Sequence, residues 1–539
     1  MTTARPKEFN VEGPCVPQRH YFLPPLPRLP EVKCLVDEKK YFTLHAPRRS
    51  GKTTALLAAV DTINGEGSYH ALYCDLQTVS GTDDRAQAMS GIVGALSGAL
   101  RASGVGRLKE AAGDGFLDGL DRWRDFRATP VLVWLRTLCA WLERDLVIFF
   151  DGVDCLAHRN LTAFLSQLRV GHASRVKVPF PRSLALTGMS DVARATIRRG
   201  PENPDPGIPF NIVTKSLTLA GFTPAGVEAL YAQHTAATGQ AFRDGAAQRA
   251  WYLSGGQPCL VNALAREAIG GILANDHGQA ITGGIMERAA DNLIERRDGH
   301  IGYLLSHLPD PRVARIVWPM LAASAGPVYL AGPPENLETF GSDLLHCRDL
   351  GLVAPDGQPR PANPVYATAI VRRLNGNMRA ALPDGLSGKW VDGARIDMTG
   401  VIGGFQGFWA KHCEKYLRGL EFIEAGPLLF FTAFLRKAVS GAAFITNEFA
   451  GELGYAGISV KNAAHRYAIG LRSGDENLPG DRAQLLDHMG RLATGEGWLL
   501  IFNREPGSRE PGKGRAGKIP WHTETVDGYL TVHTVGFLF

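Results

Sequence analysis

Short apolar segments alternate with helical patterns through the first part of the chain. Segments that are apolar on both faces are typical of strands in a parallel sheet that helices cover on both sides. After the first apolar segment, at residues 41–45, residues 54–63 place apolar residues at helical spacing and predict a helix. The pattern therefore predicts an α/β domain with helices on both sides of a parallel sheet. The predicted strands are residues 41–45, 71–76, 145–151 and 183–188.

The pattern becomes helical at about residue 216. Residues 216–308 are predicted to be helices, with a turn at 253–258 that starts one of them. Residues 309–374 combine helices with a hairpin-like segment at 349–359, which is compatible with a winged helix. Residues 375–400 are rich in Gly, Asp and Pro and predict a linker.

Residues 401–539 predict a separate α/β unit. Its order is helix, three strands, helix and strand. The predicted helices are residues 424–439 and 482–493, and the predicted strands are residues 443–449, 455–460, 465–471 and 498–502.

Length, charge and cysteine spacing narrow the class of protein. A chain of 539 residues suggests roughly three domains. The net charge of +5 is small for this length and does not by itself indicate nucleic acid or membrane as a partner. The eight cysteines form no C-x-x-C pair, which favours reduced thiols over zinc or disulfides. The N-terminal residues have no apolar signal core, and no apolar run in the sequence reaches the length that spans a membrane. We therefore expect a cytoplasmic protein with no membrane partner.

A phosphate-binding loop lies between the first predicted strand and its helix. The sequence Gly51-Lys52-Thr53 in a strand–loop–helix context is typical of proteins that bind a nucleoside triphosphate. Backbone N–H groups and the helix N-terminus hold phosphate oxygens, Lys52 reaches the outer phosphates, and the Thr53 hydroxyl ligates Mg²⁺. Ala46 replaces the usual first glycine. The candidate residues for binding ATP are Pro47, Arg48, Arg49, Ser50, Gly51, Lys52, Thr53 and Thr54.

Asp151 ends the apolar run at 146–150, where P-loop ATPases place a carboxylate that orients Mg²⁺. Thr53 and Asp151 are therefore the candidate metal residues, and ATP and Mg²⁺ are the expected cofactors. Asp154 is the candidate catalytic base that activates water. The alternative is that Asp154 caps a helix that begins at residue 155.

Taken together, these motifs resemble a bacterial family of AAA-like ATP-binding proteins related to the STAND and origin-recognition ATPases. The resemblance implies a P-loop NTPase core at 1–215, a helical lid at 216–308 and a winged-helix domain at 309–374. After the linker at 375–400, it implies a nuclease-like domain at 401–539. The matching residues are 9–14, 20–21, 24–26, 40–48, 50–53, 254–262, 296–298, 348–352 and 363–366.

The resemblance also implies further positions around the nucleotide. His20 and Tyr21 are candidates for the adenine pocket, although Tyr21 is equally well explained as core packing. Pro258 follows a Gly-Gln pair similar to the lid motif that senses nucleotide in STAND proteins. Arg296 and Arg297 are candidates for contacts to phosphate or to a neighbouring subunit, and the alternative is two solvated arginines at a helix end.

Two positions depart from the family pattern near the γ-phosphate. AAA+ proteins usually have Glu after the acidic strand end, and this chain has Gly152. The family usually has Arg after the strand that ends at Gly188, and residues 189–191 are Met, Ser and Asp. We expect binding to survive these changes and hydrolysis to be weak or absent.

The C-terminal order resembles the PD-(D/E)XK nuclease core, which holds Mg²⁺ with an Asp and a Glu and orients water with a Lys. Gly457, Gly470 and Arg472 stand at those positions, and Gln484 on the following helix remains. Glycine has no side-chain oxygen to ligate a cation, so we expect an inactive, degenerate nuclease-like domain. Glu448, Glu452 and Asp475 are the nearby carboxylates that a migrated site would use.

The sequence therefore predicts an ATP-binding regulatory protein whose nucleotide state controls domain arrangement and oligomerisation. A homo-oligomer is expected, with DNA or protein as a further partner. The first alternative is an active ATPase of an antiphage or DNA-associated system, and the second is a metal-dependent DNA nuclease. The glycine-rich loop at 504–518 is mildly basic, but its interleaved glutamates favour a solvated loop over a DNA contact.

Overall fold

The chain forms two compact units, Met1–Gly221 and Phe222–Phe539. The computed structural model describes residues 7–103, 119–120, 122, 129–189, 212–297, 299–321, 337–417, 425–450, 455–462, 465–473, 478–503, 521–527 and 529–538.

A five-stranded parallel sheet forms the centre of the first unit. The strands lie in the order β2-β3-β4-β1-β5, and all neighbours are parallel. The first four match the predicted strands to within one residue at each end, so the predicted parallel sheet is confirmed. The strands are β1 (Tyr41–His45), β2 (His70–Asp75), β3 (Leu146–Asp151), β4 (Ser183–Gly188) and β5 (Val213–Thr218).

Helices cover both faces of this sheet because successive residues of each strand point to opposite sides. On β1, Tyr41 packs into one core with α3, α4 and α5, and Phe42 packs into the other with α1 and α2. The prediction that helices cover both sides of the parallel sheet is therefore confirmed. The helices are α1 (Glu31–Asp37), α2 (Lys52–Glu66), α3 (Arg85–Ala102), α4 (Pro130–Trp141) and α5 (His158–Ser174).

Strand β5 was not predicted. Its side chains are largely exposed, and only Leu217 is buried, so it lacks the apolar character that identified the other strands. It pairs with β1 at the sheet edge and crosses the predicted boundary between residues 215 and 216. The first compact unit ends at Gly221.

The second unit begins with helices, as the sequence predicts. The turn at 253–258 leads into α8, and residues 267–272 continue it as a π-helical turn. A bridge between Val353 and Pro361 closes the hairpin-like segment that precedes α13. The helices are α6 (Pro224–Thr238), α7 (Ala246–Ser254), α8 (Pro258–Arg266), α9 (Gly283–Glu295), α10 (Gly299–Ser306), α11 (Pro311–Leu321), α12 (Leu337–Leu350) and α13 (Pro364–Leu374).

The segment at 375–400 has secondary structure of its own. It contains α14 (Gly376–Ala381) and a two-stranded hairpin of β6 (Val391–Asp392) and β7 (Arg395–Ile396). The Trp390 ring lies 5.8 Å from the Phe434 ring, centroid to centroid, so the hairpin is anchored to the helix that carries Phe434.

A six-stranded mixed sheet forms the rest of the second unit, in the order β12-β13-β11-β10-β9-β8. Helix α17 packs on one face through Leu485 and Met489, and α15 and α16 pack on the other, where Trp409 contacts Phe502. Its strands are β8 (Phe444–Ala450), β9 (Tyr455–Lys461), β10 (Arg466–Ser473), β11 (Glu496–Asn503), β12 (His522–Val526) and β13 (Leu530–Leu538), and its helices are α15 (Met398–Leu417), α16 (Gly426–Val439) and α17 (Leu478–Leu492).

Across the described ranges, none of the helices combines the length and the apolar character that crossing a bilayer requires.

A candidate nucleotide site at the edge of the parallel sheet

The loop between β1 and α2 has the backbone of a phosphate-binding loop. Arg49 and Gly51 have φ of +61° and +91°, which turns the chain sharply before α2 begins at Lys52. The first N–H groups of a helix have no partner within it and carry its positive end. Arg48 and Arg49 are exposed at the loop tip, whereas Ser50 is buried. In the described part of the chain, the Ser50 hydroxyl has no hydrogen-bond partner.

Lys52 is folded against its own loop. Its Nζ donates to the carbonyl oxygens of Ala46 at 2.6 Å and Pro47 at 2.9 Å. Burial lowers the pKa of Lys52 to about 8, and the nearby Asp151 and Asp154 carboxylates oppose this shift. A half-buried ammonium that donates to two carbonyl oxygens is suited to exchange them for phosphate oxygens.

Thr53 and Asp151 meet at the carboxyl ends of the strands, although 98 residues separate them in the sequence. The Thr53 hydroxyl donates to Asp151 Oδ2 at 2.6 Å, and the Tyr73 hydroxyl donates to the same oxygen at 3.0 Å. Burial raises the pKa of Asp151, and these two hydrogen bonds oppose the rise. The structure thus brings together the two predicted metal residues. Tyr73 was missed because its position in a strand marked it only as an apolar core residue.

Asp154 lies in a short 3-10 turn, Val153–Cys155, after β3. Its Oδ2 accepts a hydrogen bond from the Met189 N–H at 2.7 Å, just beyond the end of β4. The alternative that Asp154 caps a helix is wrong, because α5 begins at His158 after Ala157 and the 3-10 turn follows Gly152. The base role of Asp154 stays a prediction.

Gly152 has a left-handed backbone, with φ of +71°. A Cβ atom at this position would lie 3.1 Å from Gln77 Cγ. A side chain at this position would therefore be strained and crowded.

Arg28 holds the loop from outside and was not predicted. Its Nη2 donates to the Ser50 carbonyl oxygen at 3.1 Å, and its Nε donates to the Ala220 carbonyl oxygen at 2.9 Å. Burial lowers the pKa of Arg28 to about 10. One guanidinium therefore connects the phosphate-binding loop to the end of the first unit. No sequence pattern indicates such a contact.

The segment that carries His20 and Tyr21 contacts α2. The Cys15 N–H donates to the Thr54 hydroxyl at 3.0 Å, and the His20 Nδ1 accepts from the Val16 N–H at 2.9 Å. Burial lowers the pKa of His20. Tyr21 is buried against Phe9, with ring centroids 4.7 Å apart. The segment lies at the loop helix, as an adenine-side segment requires, and the adenine contact itself stays a prediction.

The candidates from the helical region belong to the second unit. Pro258 is the first residue of α8, and the Gln257 side chain caps this helix by accepting the Leu260 N–H at 2.7 Å. Arg296 Nη1 lies 2.9 Å from Glu267 Oε2 in an ion pair. Among the other positions considered, Ser190, Asp191, Asp298 and the loop at 504–518 lie outside the described residues.

Gly457, Gly470 and Arg472, where the sequence predicts a degenerate nuclease-like site, lie on the neighbouring strands β9 and β10. Gly457 and Gly470 are direct partners on β9 and β10. Arg472 Nη1 donates to Asp481 Oδ1 at 2.7 Å, and both side chains are 1% exposed. Burial raises the pKa of Asp481, while Arg472 opposes the rise. Gln484 lies one helical turn after Asp481 on α17.

Of the alternative carboxylates, Glu448 is the strand partner of Gly457. Glu452 and Asp475 lie outside the described residues.

No protein-family model matches this sequence, and no curated protein matches it. Among solved structures, the chain is similar to the Walker-type ATPase PABY2304 of Pyrococcus abyssi, with 15% identity, a TM-score of 0.47, and coverage of 67% of this chain and 99% of that one. It is similar to Cdc6p from Pyrobaculum aerophilum, with 13% identity, a TM-score of 0.34, and coverage of 65% and 94%. It is also similar to the Thermotoga maritima RuvB Holliday junction branch migration motor, with 13% identity, a TM-score of 0.31, and coverage of 61% and 87%.

Proposed function

We propose that the first unit binds ATP with Mg²⁺, and that the bound nucleotide controls domain arrangement and assembly into a homo-oligomer. Hydrolysis is weak or absent, and the nuclease-like region does not cleave. The observation that carries the proposal is the hydrogen bond from Thr53 to Asp151 at 2.6 Å, directly after a loop that ends in a left-handed glycine and the half-buried Lys52.

The residues present fit this cofactor. The loop N–H groups and Lys52 would hold the phosphates, and the buried Ser50 hydroxyl offers a further polar group within the same loop. Thr53 and Asp151 would hold the metal ion, whose charge screens the phosphate oxygens. The segment around His20 and Tyr21, fixed to Thr54 through Cys15, would lie on the adenine side.

Slow turnover follows from the residues beside Asp151. Gly152 offers no carboxylate, and one oxygen of Asp154 is already occupied by the Met189 N–H. Loss of a general base lowers a rate by roughly 10²- to 10⁴-fold. Bound ATP is therefore hydrolysed slowly, which suits a regulatory protein better than a motor.

Control of domain arrangement requires contacts that differ between the ATP-bound and free states. We propose that two contacts change when the nucleotide binds. Arg28 binds the Ser50 carbonyl of the loop and the Ala220 carbonyl at the end of the unit, and Cys15 binds Thr54. Phosphates that reorient the loop would act on both. The proposed partners are further copies of this chain and a DNA or protein ligand.

The test is the mass of the full chain in solution with and without ATP·Mg²⁺, together with calorimetric ATP binding. Wild type should bind ATP and change its assembly state, and Lys52→Ala should lose both. Lys177→Ala is the matched control. Lys177 is an exposed lysine before the start of β4, whereas the phosphate-binding loop follows the end of β1, the parallel neighbour of β4. The two lysines therefore belong to opposite ends of these strands. An assembly state that depends on neither ATP nor Lys52 would indicate a scaffold and refute the proposal.

A working ATPase is the second candidate, and the proximity of Asp154 favours it. Asp154 lies in the 3-10 turn directly after β3, three residues beyond Asp151, and its carboxylate reaches the end of β4 through the Met189 N–H. Steady phosphate release that Asp154→Asn abolishes would establish this alternative.

A further inference from the structure

We infer that Tyr73 is a positioning residue that holds Asp151 in place for the magnesium ion of the bound nucleotide. The inference rests on the proposed function and deepens it.

The geometry of three side chains carries the inference. Tyr73 and Thr53 donate to the same oxygen, Asp151 Oδ2, at 3.0 Å and 2.6 Å. They approach it from different elements, because Tyr73 belongs to β2 and Thr53 to the first turn of α2. Asp151 is only 5% exposed, so protein groups rather than bulk water fix its carboxylate.

The strand register explains why Tyr73 reaches this carboxylate. Asp75 is the direct partner of Asp151, and Tyr73 lies two residues earlier, opposite Phe149. Residues two apart on a strand share a face, so Tyr73 and Asp75 lie on the same side of β2. The long phenol side chain then extends towards the strand end, where its hydroxyl meets Asp151.

This contact has a defined role when Mg²⁺ binds. The Thr53 oxygen has lone pairs for the metal while its proton points to Asp151, and the orientation of that proton depends on where the carboxylate is held. Tyr73 fixes that acceptor. When a group that hydrogen-bonds to a metal ligand without touching the metal is removed, metal affinity typically falls by about 10- to 100-fold.

The competing explanation is that Tyr73 only fills space, since its ring packs against the core between the sheet and α2. Tyr73→Phe separates the two because it keeps the ring and removes only the hydroxyl. Tyr69, the residue directly before β2, offers a matched control: its hydroxyl donates to Oδ1 of the exposed Asp37 at 2.9 Å. Tyr69→Phe therefore also removes one tyrosine–aspartate hydrogen bond, away from the loop.

The experiment measures binding of methylanthraniloyl-ATP to the full chain by fluorescence anisotropy, in EDTA and across a Mg²⁺ titration. We expect Tyr73→Phe to bind in EDTA within about twofold of wild type, because the loop contacts remain. The Mg²⁺ concentration that produces half of the Mg²⁺-dependent change in probe binding should rise by about 10- to 100-fold. Tyr69→Phe should change neither quantity.

Each other outcome is decisive. An unchanged Mg²⁺ titration in Tyr73→Phe overturns the inference, and so does an equal loss of affinity in EDTA and in Mg²⁺, which would show a packing role. If wild type does not bind the probe, or Lys52→Ala binds it equally well, the proposed function fails as well. The two failures are thereby distinguishable.

Discussion

Gly457 and Gly470 lie directly opposite each other on the antiparallel strands β9 and β10. Two residues after Gly457, the Ser459 hydroxyl lies 2.9 Å from His488 Nε2 of α17, so the two glycines face the same helix. On this face of the sheet, two adjacent positions therefore have no side chains. Beside them lies the buried pair of Arg472 and Asp481.

This arrangement predicts that the protein does not cut DNA. Incubation of the full chain with supercoiled plasmid and Mg²⁺ or Mn²⁺ should leave the plasmid intact, because neither glycine supplies a ligand oxygen. Agarose gel electrophoresis over several hours measures the outcome. Nicking that persists in Lys52→Ala protein would show that the site has moved to other carboxylates, such as Glu448.

The Arg472–Asp481 pair should be needed for stability rather than for chemistry. Arg472→Met leaves the Asp481 carboxylate buried without its partner, and breaking a buried pair costs about 3–5 kcal/mol. We expect a lower denaturation midpoint for the second unit, measured by thermal unfolding. The control is the double variant Arg472→Met with Asp481→Leu, which should recover most of the loss because no charge is left buried. Equal midpoints for wild type and Arg472→Met would contradict the assignment.

Introducing a glutamate at position 152 should not speed up hydrolysis. Gly152→Glu places a side chain at a left-handed residue and against Gln77, at a cost of about 1–3 kcal/mol. We expect a lower melting temperature and no gain in phosphate release. Gly152→Asn is the matched control, because asparagine tolerates this backbone better and should destabilise less. Faster ATP turnover in Gly152→Glu would mean that the missing carboxylate alone limits the rate.

Much of the first unit is predictable from the sequence because the signals are local. Strands β1, β3 and β4 are apolar on both faces, and the phosphate-binding loop follows β1 directly. Strand β5 is not predictable this way, because at the sheet edge its side chains are largely exposed. The sequence also predicts Asp151 as a candidate metal residue, since a carboxylate at the end of a buried strand stands out, and the structure places it against Thr53.

The remaining residues of the site depend on contacts between distant parts of the chain. The Tyr73 hydroxyl meets Asp151 across two strands, and in the sequence a strand tyrosine predicts only core packing. Arg28 and Ala220 are 192 residues apart, so their hydrogen bond has no signature in either segment. The pairing of Gly457 with Gly470 likewise follows from strand register, which the sequence alone does not fix.

The first unit should lose stability in acid through His172. Burial lowers the pKa of His172 from 6.5 to about 4, and its ring lies against Tyr41 at 4.6 Å between centroids. A histidine whose pKa is lowered in the folded state stabilises the fold fully above pH 6.5, and that contribution is lost as the pH falls towards about 4. His172→Gln should therefore flatten the decline of the melting temperature across this range. Replacing the exposed His522 by Gln is the control and should leave the decline unchanged.

Arg28 should couple nucleotide binding to the end of the first unit. Arg28→Ala removes the donors to the Ser50 and Ala220 carbonyl oxygens, and hydrogen bonds from charged groups contribute about 1.5–3 kcal/mol each. We expect weaker ATP binding, a lower melting temperature and faster hydrogen exchange at both Ser50–Gly51 and residues 219–221. Arg28→Lys should recover only part of each effect, because an ammonium lacks the planar fork that reaches both carbonyls. If exchange rises at the loop and stays unchanged at 219–221, Arg28 supports the loop alone and the proposed route from nucleotide to domain arrangement must run elsewhere.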